Sequence, residues 1–134
     1  MASLNFDWEL VDGSTVVAAI GRNERRMDDE AFAWDEIAIV LAENAIILSV
    51  NDDTDEVIVN LSAVPTGKDW LDVAPLNRFV SEQLGWCWEV TNYRGYSDGF
   101  MVAFGDVLPN ALHPKLTFFG EGSAITCLQM TIVG

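Results

Sequence analysis

Basic residues are scarce in this chain, which has 7 Lys and Arg against 21 Asp and Glu in 134 residues, a formal net charge of -14. Nucleic acids and anionic membranes are bound largely through Lys and Arg near phosphates, so this composition excludes both as partners. A strongly negative surface instead attracts basic proteins or cations over long distances. We therefore expect a basic protein as partner, with solubility alone as the alternative explanation of the charge.

Cysteine and histidine are nearly absent: the chain has only Cys87, Cys127 and His113. Two widely spaced cysteines match neither a zinc signature nor a secreted disulfide framework, so we predict buried free thiols, no metal and no cofactor. His113 lies in a predicted loop without a Gly-flanked serine or an activated cysteine near it in sequence. A nucleophilic triad is therefore not predicted, and no residue is assigned a catalytic role.

Long hydrophobic runs and a basic N-terminal segment are also missing. No stretch approaches the length needed to span a bilayer, and no signal peptide is recognisable. Together with the free thiols, these absences predict a cytoplasmic protein. The chain has no internal repeat, low-complexity tract or linker, so we expect one domain over residues 1–134.

Negative charge is concentrated in one interval of the chain, because no Lys or Arg occurs between Met27 and Gly67 to balance the acidic residues there. We predict that this interval forms one negative face that binds the partner. The candidate residues are Asp28, Asp29, Glu30, Asp35, Glu36, Asp52, Asp53, Asp55 and Glu56. The carboxylates of residues 52–56 are of the type that holds a hard cation, but their spacing fails the helix-loop-helix calcium pattern. A polar turn between two strands explains them without a metal.

Hydrophobic patterning predicts an α+β fold with a mainly antiparallel sheet, a meander of about six to eight strands. Short polar turns separate the apolar strands and force the antiparallel sense. Residues 15–20 are expected to form a strand, with a helix capped by Ser14 as the alternative, and residues 21–30 to form a loop or a short exposed element. The other predicted strands are 36–41, 45–50, 56–61, 86–93, 100–104, 116–119 and 125–133.

One packed helix is predicted near residues 75–84. Leu76, Phe79, Val80 and Leu84 form one apolar stripe, Pro75 suits the first turn and Gly85 suits the position after the end. The expected core is Ile37, Ile39, Ile46, Leu48, Ile58, Phe79, Trp88, Val102, Phe104 and Ile125. The remaining tryptophans, Trp8, Trp34 and Trp70, have acidic neighbours and are expected at the edge of the core.

The segment 86–100 combines aromatic and polar groups more densely than any other. The candidate binding residues in it are Trp88, Asn92, Tyr93, Arg94, Tyr96 and Asp98. An arginine flanked by two tyrosines can stack on a ring or pair with a carboxylate. We expect Arg94 to be partly buried, against an aromatic ring and against Asp98 or Glu89. Whether Arg94 is structural or binds a ligand is left open by the sequence.

Two strings resemble a family of small uncharacterised bacterial domains. They are residues 53–57, Asp-Thr-Asp-Glu-Val, and Trp88 followed by Asn92-Tyr93-Arg94-Gly95-Tyr96 with Asp98 and Phe100. The resemblance covers residues 35–132 and implies a bacterial cytosolic protein of unknown role with no established active site. In acidity and size the chain is also similar to immunity proteins that neutralise basic toxins.

Three functions follow as expectations. The first is a non-enzymatic interaction protein, of the type that inhibits a basic partner, capturing it by electrostatic steering. The second is a small-ligand-binding domain or enzyme with its site around residues 92–98, which requires those side chains to converge on a concave pocket. The third is a homodimer.

Overall fold

The computed structural model describes residues 3–27, 31–105 and 110–130, and its secondary structure is almost entirely antiparallel β-sheet. The candidate acids Asp28, Asp29 and Glu30 lie outside the described residues. Eleven strands are found in the described ranges. The sequence predicted fewer, because β2, β3 and β7 are only two or three residues long and too short to show a strand pattern. They are β1 Ala18–Arg22, β2 Arg25–Arg26, β3 Phe32–Ala33, β4 Glu36–Val40, β5 Ala45–Val50, β6 Val57–Ser62, β7 Trp70–Asp72, β8 Leu84–Val90, β9 Gly99–Phe104, β10 Pro114–Glu121 and β11 Ala124–Gln129.

The strands form two larger sheets and one ribbon. The five-stranded sheet has the order β6-β5-β4-β1-β7, the four-stranded sheet has the order β11-β10-β9-β8, and β2 pairs with β3. Inward-facing side chains of both large sheets belong to one buried cluster, with Ile39 and Leu48 from one sheet and Val102 and Phe118 from the other. The two sheets therefore pack face to face over a shared core.

The predicted meander is confirmed. β4, β5 and β6 pair in sequence, with Ile39 opposite Ile46 and Leu48 opposite Val59. The strand prediction for residues 15–20 holds for Ala18 onwards, since β1 pairs with β4. Residues 21–30 were expected to form a loop or a short exposed element. β1 continues into this range as far as Arg22, and β2, only two residues long, is such a short element and the first arm of the ribbon.

The predicted helix at 75–84 is wrong. Ala74–Phe79 is a 3-10 turn, Val80 is already extended, and β8 begins at Leu84. Leu76 and Phe79 are buried as the stripe required, but Leu84 is buried as the first residue of a strand. The predicted α+β class is therefore corrected to a mainly antiparallel β fold. The described residues contain no α-helix and three 3-10 segments, Trp8–Leu10, Ala74–Phe79 and Asn110–Leu112.

Eight of the ten predicted core residues are buried, and Ile58 and Trp88 are the exceptions. In β6 the core residues are Val57 and Val59, so Ile58 faces away. In β8, Cys87 faces the core and lies opposite the buried Val102. Trp88, the next residue, therefore lies on the other face, opposite Met101.

The expectation that Trp34 lies at the edge of the core is also wrong, because the residue is fully buried although two acids follow it. Its backbone bridges to Ile125, and this contact carries its side chain into the core. Trp8 and Trp70 are half-buried, as a position at the core edge requires.

The outer face of the five-stranded sheet carries a second apolar cluster, formed by Ala38, Val40 and Ala45 with neighbouring side chains. β6 and β7 lie at opposite edges of this sheet, about 19 Å apart at the usual strand spacing, yet only residues 63–69 connect them. The inner face packs against the other sheet, and residues 63–69 are largely exposed. The connection therefore crosses the outer face, where the small side chains of Ala38 and Ala45 leave room for it.

Candidate functional site

Residues 51–56, which we call the acidic turn, connect β5 to β6. The Asn51 side-chain oxygen accepts the Asp53 backbone N–H at 2.9 Å, and the Asn51 carbonyl accepts the Asp55 backbone N–H at 2.9 Å. Asp55 has a φ of 59°, a left-handed conformation that Asp tolerates better than most residues. This local bonding leaves the side chains of Asp52 and Asp53 exposed to solvent.

The acidic turn is fixed against the β10–β11 hairpin. A carboxylate oxygen of Asp55 accepts the Ser123 backbone N–H at 2.8 Å. Gly120 passes so close that a Cβ there would overlap the carbonyl oxygen of Asp55. The backbone of the turn is therefore anchored to the hairpin, and the exposed Asp52 and Asp53 extend from this anchored backbone.

Residues 91–98, which we call the aromatic loop, connect β8 to β9. The Asn92 side-chain oxygen accepts the backbone N–H groups of Arg94 at 2.8 Å and Tyr96 at 3.2 Å. The Asn92 backbone N–H donates to the Tyr96 carbonyl at 2.8 Å, and Gly95 supplies the positive φ of 90° that closes the turn. One asparagine thus sets the shape of the loop, as turn-forming asparagines commonly do.

The loop presents its aromatic side chains outward. The Tyr93 side chain is almost fully exposed at 93%, and Tyr96 is 41% exposed. The Arg94 guanidinium lies 5.8 Å from the centroid of the Tyr93 ring, so the expected aromatic contact is present. The expectation that Arg94 is partly buried is wrong, because the residue is exposed and forms no ion pair with any described carboxylate.

The structure joins the acidic turn and the aromatic loop, two segments that no sequence pattern connects. A carboxylate oxygen of Glu56 accepts the Ser97 backbone N–H at 3.0 Å, and the Val57 backbone N–H donates to the Ser97 carbonyl at 2.9 Å. The other Glu56 oxygen accepts the Thr54 hydroxyl at 3.1 Å, and Ser97 itself is buried. The acidic turn and the aromatic loop are therefore anchored to each other through Ser97.

Two predicted binding residues have roles other than those expected. Asp98 does not pair with Arg94. Its carboxylate accepts the Asn92 side-chain N–H at 3.2 Å, and its carbonyl accepts the Gly120 backbone N–H at 3.0 Å. Trp88 is half-buried on the sheet, two residues before β8 ends, rather than in the loop. Asp98 thus stabilises the loop from within, and Trp88 remains a candidate by position alone.

The predicted acidic face is partly neutralised by Arg22 of β1 and Arg25 of β2. Arg22 bonds to Glu36 at 2.9 Å, and Arg25 bonds to Asp35 at 2.8 Å. Burial tends to raise the pKa of Asp35, but hydrogen bonds from Asn23 and Arg25 and the positive charges of both arginines outweigh it and lower that pKa. Among the described candidates, Asp52 and Asp53 have exposed side chains without such partners.

Groups suited to reactive chemistry are not assembled in the described ranges. Cys87 and Cys127 are free and half-buried. Burial raises the pKa of each thiol to about 12, helped at Cys87 by the negative charges of Glu89 and Asp12. The described residues contain no group of three or more His, Cys, Asp or Glu side chains able to hold a metal ion, and no helix long and apolar enough to cross a membrane.

Sequence reasoning missed a cleft of about 460 Å³ between β3 and β11. Phe32, Phe119 and Leu128 line it and are exposed at 43%, 37% and 61%, which is high for large apolar side chains. The signal for it was Phe119 directly after Phe118, because successive residues of a strand point to opposite faces and the pair places an aromatic ring on each face of β10. The position of β3, a two-residue strand that reaches β11 through the Trp34–Ile125 bridge, could not be foreseen.

No curated protein and no solved structure matches this chain. A family model does match, over residues 1–134, which is longer than the stretch that carried the resemblance in the sequence. The chain belongs to that family, a family of unknown function designated DUF6334.

Proposed function

We propose that this protein is a non-enzymatic binding module that captures a basic partner protein through the acidic turn and the aromatic loop. The observation that supports the proposal is the bond between the Glu56 carboxylate and the Ser97 backbone N–H, at 3.0 Å, which anchors the two segments to each other. Exposed tyrosines and exposed carboxylates are the residue types that anchor and steer protein association.

The charges of the surface favour a basic partner. Asp52 and Asp53 are exposed on a chain of net charge -14, so the long-range field attracts cations. Tyr93 and Tyr96 offer ring faces on which an arginine or lysine of the partner can stack. The internal bonds of Asn92 fix the loop before binding, which reduces the entropy lost on association.

The geometry is less favourable to the alternative of a small ligand held around residues 92–98. Such a ligand requires side chains that converge on a concavity. Tyr93 and Arg94 instead extend into solvent, and the cleft between β3 and β11 is lined by other residues. The finer form of our proposal, an immunity-type inhibitor of a basic toxin, rests on the acidity and the small size of the chain.

The proposal is tested by affinity capture from cells that express the protein natively, at low and high salt, followed by mass spectrometry. Three baits are compared: the wild type, Tyr93→Ala/Tyr96→Ala, and the control Trp86→Ala, which removes an aromatic side chain that is 54% exposed on β8. We expect a basic protein that the wild type and the control retain at low salt and that the double variant loses. An acidic partner, or equal recovery on all three baits, would contradict the proposal.

A further inference from the structure

The outer face of the four-stranded sheet, which we call the open face, carries large apolar side chains. Trp86, Phe119 and Leu128 are exposed there at 54%, 37% and 61%. Each is the direct neighbour along its strand of a residue that packs in the core, namely Cys87, Phe118 and Cys127 in that order. Because successive residues of a strand point to opposite faces, all three lie on the face turned away from the five-stranded sheet.

Two adjacent rows of side chains cross the open face from β8 to β11. The strand pairing places in the first row Trp88, Met101, Thr117 and Leu128. It places in the second row Val90, Gly99, Phe119 and Thr126. The Thr117 hydroxyl donates to the Met130 sulfur at 2.8 Å, so the polar group at the centre of the face has its partner within the chain. The open face is therefore one apolar surface, and such surfaces mark interaction sites.

Charged side chains on the open face stand at the two ends of β10. Lys115 directly precedes the buried Leu116 and so points to the open face at one end, while Glu121 ends the strand. Neither forms an ion pair with a described residue, and they are about 20 Å apart at the rise of a β-strand, too far to pair with each other. A single acid on this face contrasts with the net charge of -14 of the whole chain.

A second copy of the chain complements these two charges. It is stacked face to face about a twofold axis that is perpendicular to the strands and level with Phe118. Each strand then lies over the same strand of the other copy in the antiparallel sense. Phe118 is midway between the charged residues, so Lys115 of each copy lies over Glu121 of the other. The two ion pairs make the face self-complementary, as a twofold interface requires.

The same axis exchanges the two rows of the open face. Leu128 of one copy lies over Thr126 of the other, and Trp88 lies over Val90. On β8, β9 and β11 the larger residue stands in the first row, whereas on β10 it stands in the second. Large side chains of each copy therefore meet smaller ones of the other, which allows the two faces to interdigitate.

We propose that the open face binds a second copy of the chain in this twofold arrangement, forming a dimer of stacked four-stranded sheets. Four strands over seven residues cover about 450 Å² on each copy, the lower end of specific interfaces, so the dimer forms in the micromolar range. The open face includes neither the acidic turn nor the aromatic loop. The dimer therefore stands independently of the function proposed above.

Sedimentation equilibrium of the full chain at increasing protein concentration and at low and high salt provides the first test. We expect a reversible dimer that tightens at high salt, because salt screens the repulsion between two chains of net charge -14. Capture of a basic partner weakens with salt, so the two proposals fail separately. Copies of the chain recovered by affinity capture report this dimer, not the partner. A chain that stays monomeric up to about 1 mM, where an association of about 4 kcal/mol is visible, would overturn the proposal.

Leu128→Lys tests the apolar contact. Its matched control is Leu71→Lys, which adds the same charge at a leucine that is 66% exposed on β7, in the other sheet. We expect the first variant to dimerise at least about tenfold more weakly, because an ammonium group is buried against the second copy, and the control to dimerise as the wild type does. Urea unfolding verifies that both variants fold. Equal dimerisation of the two variants would overturn the proposal.

Charge reversal tests the twofold arrangement. Lys115→Glu should weaken the dimer about fivefold through the loss of two exposed ion pairs. Lys115→Glu/Glu121→Lys, which has the net charge of the wild type, should restore it, since each reversed charge again faces its opposite in the second copy. Lys68→Glu, in the exposed connection between β6 and β7, is the control for net charge and should have a smaller effect at high salt. Failure of the double variant to restore the dimer would overturn the arrangement.

Discussion

The Glu56 carboxylate and the Ser97 backbone N–H form a 3.0 Å hydrogen bond between positions 41 residues apart in sequence. Ser97 is buried, and its carbonyl accepts the Ser3 hydroxyl at 3.2 Å as well as the Val57 backbone N–H at 2.9 Å. This serine is therefore the point at which the N-terminal segment, the acidic turn and the aromatic loop meet, and Glu56 is the charged member of the junction.

Replacing Glu56 is predicted to weaken this junction. Glu56→Ala leaves the Ser97 N–H without its acceptor, and a hydrogen bond to a charged group contributes about 1.5–3 kcal/mol, so we expect the free energy of unfolding to fall by about 2 kcal/mol. Glu56→Gln keeps an acceptor oxygen and should lose less. Urea unfolding provides the measurement. Asp53→Ala is the control, since its exposed carboxylate has no described partner, and a comparable loss there would contradict the assignment.

The shape of the aromatic loop is predicted to depend on Asn92. Asn92→Ala removes the oxygen that accepts the Arg94 and Tyr96 backbone N–H groups, and we expect a stability loss of about 1 kcal/mol with faster exchange of these two amides. Asn92→Asp keeps the acceptor but places a carboxylate beside Asp98, so its effect should be intermediate. Unchanged exchange in the alanine variant would show that the loop is held by other means.

Gly120 is predicted to tolerate no side chain. The Cβ of Gly120→Ala would overlap the Asp55 carbonyl oxygen, a backbone atom that moves only if the acidic turn moves. We expect a loss of about 3 kcal/mol in thermal or urea unfolding, the upper range for overpacking. The exposed neighbouring variant Glu121→Ala should change stability by less than about 0.5 kcal/mol. A neutral effect of Gly120→Ala would mean that the turn does not dock on the hairpin.

Alkaline pH is predicted to destabilise the protein through its thiols. Burial raises the pKa of Cys87 and Cys127 to about 12 in the folded state, while an unfolded thiol titrates near about 8.5. The neutral thiols therefore favour folding at neutral pH, and this contribution declines as the pH rises from about 9 towards 12. Unfolding curves at increasing pH should show a smaller alkaline loss for Cys87→Ala/Cys127→Ala. Rapid thiol modification of the native protein at pH 7 would contradict the raised pKa.

Local patterns predicted the meander well because each of its turns is short and each strand is apolar. Residues 36–41 and 45–48 are almost continuously apolar, which is typical of strands covered on both faces. The apolar residues on the outer face of these strands form the second cluster, around Ala38 and Ala45. That face is covered because residues 63–69 cross it. The sequence contained this signal, but only the pairing of β7 with β1 reveals what lies over the face.

The helix prediction failed because a 3-10 turn and the start of a strand together produced the apolar spacing of one helix. Leu76 and Phe79 face the core from a 3-10 turn, and Leu84 faces it from a strand, yet their spacing matches an α-helix. The candidate site was foreseen as two separate segments. What joins them are two long-range hydrogen bonds at Ser97, one to the Glu56 carboxylate and one from the Val57 backbone N–H. Contacts between distant positions leave no periodic mark in a sequence.

The central claim, that the acidic turn and the aromatic loop form one surface for a basic partner, is tested most directly by association kinetics. The partner recovered by affinity capture is bound to wild type, Asp52→Asn/Asp53→Asn and Tyr93→Ala/Tyr96→Ala at several salt concentrations. We predict that Asp52→Asn/Asp53→Asn lowers the association rate and its salt dependence, because charges at the rim of an interface steer the partner. We predict that Tyr93→Ala/Tyr96→Ala raises the dissociation rate, because aromatic side chains that become buried in a complex anchor it. Wild-type kinetics for both variants, or no partner recovered at either salt concentration, would contradict the claim.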